Sequence, residues 1–217
     1  MSLFMPVTLL AESGAAAASI APEGNANSAS GATTYTFTSV GIGSGTHVIV
    51  GVVAIASGAR TISTLTVGGN SALRTVQANA TTLAGLVICN HPGGTTANIV
   101  VTFSAAMLRC AVVAWSVSGL SSTTETDTAS ATSGDPTTVS LDIPANGFGV
   151  SVIGSNATSS LTLTWTGLTE DFDTTYASGR TISGASQEFA TAQTALSISA
   201  DWSGAPSTQC MVAAAWR

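Results

Sequence analysis

The chain has 217 residues and a net charge of −6, with 11 acidic residues set against five arginines and no lysine. Only 7% of its residues are charged, far below the roughly 25% of ordinary soluble domains. Nucleic-acid binding is therefore not expected, because neutralising phosphates takes clustered lysine or arginine. No apolar run approaches the roughly 18 residues of a membrane helix, so membrane insertion is not expected either.

The opening stretch MSLFMPVTLLAESGAAAAS has no basic n-region, is interrupted by Pro6 and soon meets Glu12. It reads as a retained segment and not as a signal peptide. Residues 1–32 as a whole are rich in Ala, Ser, Gly and Asn with little periodicity, and read as an extended N-terminal arm that something else must hold in place. From Thr33 onward the pattern has period two. In TYTFTS, Tyr35 and Phe37 face one way and the threonines the other; LTLTWT repeats the pattern with Leu161, Leu163 and Trp165. Alternating β-branched polar and apolar residues are what a half-buried strand requires.

Strands are predicted at 33–39, 46–56, 61–67, 83–89, 96–104 and 107–118, separated by glycine-bearing turns. A polar stretch, SSTTETDTASATSGDP, reads as a surface crossover over 120–136. Strands then follow at 137–143, 147–154, 160–166, 182–189, 194–202 and 209–216. The two sets echo each other. LRCAVVAWS near residue 110 answers to TQCMVAAAWR at the end, so Ala111, Val113 and Trp115 correspond to Val212, Ala214 and Trp216. Ile99, Val101 and Phe103 correspond to the alternating residues from Leu196 to Trp202.

The fold class read from this is all-β: an antiparallel, jelly-roll-like β-sandwich of about 12 strands in two pseudo-duplicated halves, 33–119 and 137–217, after the arm. Half a chain with so few charges would cover its apolar faces poorly, so the halves are expected to interleave as one sandwich domain over 33–217. VIVGVVAIA and AVVAW do not alternate and are apolar on both faces. The second face needs a cover, from a loop or from another subunit.

Residues able to carry chemistry are sparse. Cys89, Cys110 and Cys210 are widely spaced and read as buried small hydrophobes, with a Cys89–Cys110 bridge left open. His47 starts a strand and His91 sits in a turn, with no hydrolase or metalloprotease motif around either. No metal or cofactor is expected. The densest acidic cluster is TEDFDT, where alternation puts Asp171 and Asp173 on one strand face and Glu170 and Phe172 on the other. Such a pair suits glycoside hydrolysis or calcium binding, but a solvated strand end is the favoured reading. The four tryptophans fall in phase with the apolar face and read as core. DFDTTYASGR is the candidate ligand loop, with Asp171, Asp173, Tyr176 and Arg180 as its recognition residues.

The phrases SALRTVQANATTLAGLVICNHPGGTTANIVVTFSAAMLRCAVVAWSVSGLSSTT, TWTGLTEDFD, SGASQEFATAQTALSISADWSGAP and AAAWR resemble a family of small β-sandwich virion proteins of tailed bacteriophages and prophages. The resemblance covers about residues 33–217 and rests on structural phrases. It implies a non-enzymatic virion component that assembles in the host cytoplasm, and it transfers no catalytic residue. The leading expectation is a capsid decoration or cement protein. It would bind the major capsid protein through Leu3, Phe4, Val7, Leu9 and Leu10 of the arm and through apolar sheet faces, as a homo-oligomer such as a trimer. The alternative is a tail-fibre, head-fibre or tail-tip module that binds host-surface glycan through the 171–180 loop.

Overall fold

The structure is a computed structural model that describes residues 16–157, 159–177 and 179–217. The described chain is all strand and turn, built from antiparallel sheets in sandwich form. Its first half contains β1 (Ser19–Ser28), β2 (Ala32–Gly41), β3 (His47–Ile55), β4 (Ile62–Val67), β5 (Asn70–Ser71), β6 (Leu73–Asn79), β7 (Thr82–Asn90), β8 (Thr96–Met107) and β9 (Arg109–Ser118). The second half contains β10 (Asp127–Ala131), β11 (Thr137–Ile143), β12 (Gly147–Asn156), β13 (Leu163–Thr166), β14 (Thr169–Tyr176), β15 (Arg180–Phe189), β16 (Gln193–Trp202) and β17 (Thr208–Trp216).

These strands form four sheets. The first half makes an inner sheet, β1-β9-β3-β7-β6, and an outer sheet, β2-β8-β4-β5. The second half makes an inner sheet, β10-β17-β12-β15-β14, and an outer sheet, β11-β16-β13. The two inner sheets share one strand order, and so do the outer ones apart from β5. Each half is thus a sandwich in its own right, and the expected interleaving is replaced by duplication. The 17 strands among the described residues exceed the expected 12 or so because β1, β5, β6, β10 and β14 fall outside the predicted set.

Three apolar layers hold the four sheets together. Val48, Val50, Val52 and Ala54 of β3 meet Phe37, Leu65, Val101 and Phe103 of the first outer sheet. Ile153, Met211, Ala213 and Ala215 meet Leu141, Ile198 and Trp202 in the second sandwich. Between them lies a seam in which the inner sheets face each other. Ile49, Val53, Val113 and Trp115 pack there with Val150, Val152, Val212 and Trp216. Each fully buried side chain of this size is worth about 1.5–3 kcal/mol. The seam explains the strands that are apolar on both sides. On β9, Cys110, Val112 and Ala114 fill the first sandwich, while Ala111, Val113, Trp115 and Val117 fill the seam. The cover expected from a loop or a second subunit is the other half of the same chain. The apolar sheet faces expected to dock on a capsid are buried here.

Two further expectations are corrected. Within the arm, Ser19–Ser28 forms β1 and pairs with β9 from Ser19↔Ser118 to Ser28↔Cys110. Most of its side chains are small and largely exposed, so backbone hydrogen bonds chiefly hold the strand and no periodicity marks it. Within the polar crossover, Asp127–Ala131 forms β10 and pairs with β17. The anchoring residues Leu3, Phe4, Val7, Leu9 and Leu10 lie outside the described residues. Among the described residues, no helix is long and apolar enough to cross a membrane.

Candidate functional site

The acidic segment TEDFDT is β14, the edge strand of the second inner sheet, paired with β15. The ladder slips between Glu170 and Phe172, leaving Asp171 without a register partner. A bulge of this kind re-aims a side chain, and it breaks the alternation expected of the acid pair. Asp171 turns toward the seam and Asp173 stays exposed. Asp171 Oδ2 accepts two hydrogen bonds, from Trp115 Nε1 at 2.7 Å and from Ser186 Oγ at 2.6 Å. Phe172, expected in an exposed loop, packs edge-on against Trp115 with ring centroids 5.4 Å apart. Trp115 lies over Gly184, where a Cβ would sit 2.8 Å from its ring.

Burial pushes the Asp171 carboxyl up from its ordinary value, while the Ser186 and Trp115 hydrogen bonds pull it back down. Glu170 is raised as well, first by burial and then by the charges of Asp173 and Asp171. The result is a fixed acceptor that ties the halves together. Paired acids with separate proton roles would need two convergent carboxyls, and here Asp171 is tied to Trp115 in the seam while Asp173 accepts a hydrogen bond from the Leu163 main chain.

The other two residues of the expected ligand loop are also placed differently. Tyr176 ends β14 and is 2% exposed, packed in the seam. Arg180 starts β15 and pairs with Tyr176 across the hairpin. The described residues of the segment pair as β14 and β15, with Asp171 and Tyr176 turned inward and Asp173 exposed.

A shallow cleft of about 270 Å³ adjoins Asp171, lined by Ile20, Pro22, Thr169, Ser186, Gln187 and Glu188. Glu188 Oε1 accepts the Ile20 N–H at 2.9 Å, a further tie between the two halves, from β15 to β1. Sequence reasoning missed Glu188 and Ser186, because nothing in SGASQEF distinguishes them from solvated strand residues.

The histidines stay apart from this edge. His47 Nδ1 shares a hydrogen bond with Thr46 Oγ1 at 2.9 Å, and His91 Nε2 bonds the Gly43 carbonyl at 3.1 Å. The three cysteines are free and buried, which leaves no Cys89–Cys110 bridge. Burial pushes the Cys89 and Cys210 thiols up to about 11 and raises Cys110 as well. Among the described residues, no group of three or more His, Cys, Asp or Glu could hold a metal ion. Compared with known proteins, the chain matches no family model, no curated protein and no solved structure.

Proposed function

We propose that this chain is a non-enzymatic structural protein of a tailed-phage virion that decorates the assembled head. The reading rests on the resemblance stated above and on one observation. The double sandwich turns its apolar strands inward on both faces, and its large exposed hydrophobics among the described residues are Leu73 and Leu108. Apolar contact with a shell then falls to the segment before β1, which carries Leu3, Phe4, Val7, Leu9 and Leu10. A protein that binds the lattice and not its free subunit stabilises the shell by mass action.

The test is co-sedimentation with undecorated mature heads, using the full chain and a chain that begins at Ala16 and keeps β1. The full chain is expected to pellet to saturation and the shorter one to remain in solution with an unchanged melting temperature. If neither pellets while both are folded, the head assignment fails. Equal pelleting of both moves the contact onto the sandwich surface.

A further inference from the structure

The second sandwich has a feature that its twin lacks. In the first half, β8 passes into β9 through Leu108 alone, and residues 29–31 join β1 to β2. In the second half the equivalent connections are longer, residues 203–207 and residues 132–136. The two lengthened loops meet. Thr132, Ser133, Gly134 and Asp135 face Pro206 and Ser207 across a cleft of about 290 Å³ with Gln209 in its lining. This volume lies at the lower end of small-molecule sites.

Three buried polar groups without partners gather at this end of the sandwich: Gln209 Oε1, Trp202 Nε1 and Ser155 Oγ. Ser155 lies directly opposite Gln209 in the β12–β17 ladder. Both Gln209 and Trp202 are anchored to the same turn. Gln209 Nε2 donates to the Gly134 carbonyl, and the Trp202 main-chain N–H donates to Asp135 Oδ1 at 3.3 Å. Gln209 is 7% exposed, Trp202 5% and Ser155 fully buried.

The strand registers identify the first-half counterparts. Aligning Trp115 with Trp216 and Ile49 with Phe148 places Leu108 at Gln209 and Ala56 at Ser155. Aligning Ile99 with Ile198 places Phe103 at Trp202. Ala56 and Phe103 are buried carbon side chains where the second half has Ser155 and Trp202, whereas Leu108 is exposed, so only the second half buries an amide at the third position. An unpaired buried polar group costs stability, so the polar set in the second half is not explained by packing.

We propose that this cleft binds a single neutral sugar residue. Binding opens the contact between Gln209 and Gly134, and the amide then exchanges hydrogen bonds with ligand hydroxyls alongside Asp135. The lining chemistry selects the ligand class. Asp135 disfavours an anion, one carboxylate is too few for a bound divalent cation, and the hydroxyls of Thr132, Ser133 and Ser207 disfavour an apolar molecule. A sugar carries adjacent hydroxyls that both donate and accept, which matches an amide, a carboxylate and several hydroxyls in one lining.

The experiment is saturation-transfer NMR on the full chain with glucose, galactose, mannose and N-acetylglucosamine as probes, each at millimolar concentration. At least one sugar is expected to give saturable transfer. Gln209→Leu, which restores the first-half residue, is expected to weaken binding by about tenfold or more, and Asp135→Asn is the milder second variant. Ser186→Ala, at the other cleft, is expected to leave it unchanged. The proposal is overturned if no sugar of the panel shows transfer, or if Gln209→Leu and Asp135→Asn bind as the parent does.

Discussion

Trp115 of the first half and Trp216 of the second occupy equivalent positions in the seam, yet they are held differently. Trp115 reaches into the other half, donating to Asp171 and packing edge-on against Phe172. Trp216 stays at home. It stacks on Phe148 at 5.8 Å and donates to the Thr123 carbonyl in the linker at 3.1 Å. Where β6 and β7 approach β17, small residues such as Ala78, Ala84, Cys210 and Ala214 let the sheets come close. Where β9 faces β15, the aromatic group of Trp115, Phe172 and Tyr176 fills a wider gap. Duplication supplies a twofold-like frame, and side-chain volume then breaks the symmetry, because a close-packed seam cannot leave unfilled space.

The most severe test of this comparison is at closest approach. A methyl on Gly154 would be driven into Val53 of the facing sheet. Gly154→Ala is expected to cost about 2–3 kcal/mol in urea unfolding, with part recovered by adding Val53→Ala. If Gly154→Ala is neutral, the sheets do not meet there as described.

Next in size is the tryptophan pair. Trp115→Phe removes a donor from a half-buried carboxylate, a loss of about 1.5–3 kcal/mol, whereas Trp216→Phe removes a neutral hydrogen bond worth about 0.5–1.5 kcal/mol. Equal losses in thermal unfolding would mean that Asp171 does not hold the halves together.

The acidic edge predicts a pH dependence with a definite sign. Glu170, Asp171 and Asp173 are all shifted upward, each by burial first. A carboxyl whose folded pKa is raised favours the fold when protonated. Its contribution is fully present below the unfolded value and is lost as pH rises through the folded one. Melting temperature is thus expected to rise as pH falls from neutral into the carboxylate range. Asp171→Asn should flatten that rise more than Asp173→Asn, because Asp173 is exposed and its shift is screened by solvent.

The smallest effect is expected at Ala195 of β16, which adopts φ +49°. Ala195→Gly relieves left-handed strain but loosens the unfolded chain, for a net gain under about 1 kcal/mol. Calorimetry distinguishes that from a loss.

What was legible in the sequence follows burial. The twelve predicted strands are all present with ends within a few residues, because each buries at least one apolar face. Four of the five missed strands, β1, β6, β10 and β14, are edges of the inner sheets. SIAPEGNANS and DTASA carry few large apolar residues, so a neighbour's hydrogen bonds make them strands and no pattern announces them. At the acidic edge the bulge defeated alternation, since one extra residue reverses which side chains face inward.

By itself the sequence determined the all-β class, the internal duplication and the existence of strands buried on both faces, because these depend on local side-chain character repeated along the chain. Only the tertiary structure decided that the halves stand back to back and that Asp171 clamps Trp115. It also decided that Gln209, Trp202 and Ser155 come together at one end of the second sandwich. Those facts depend on contacts between residues far apart in the chain, which hydrophobic periodicity does not encode.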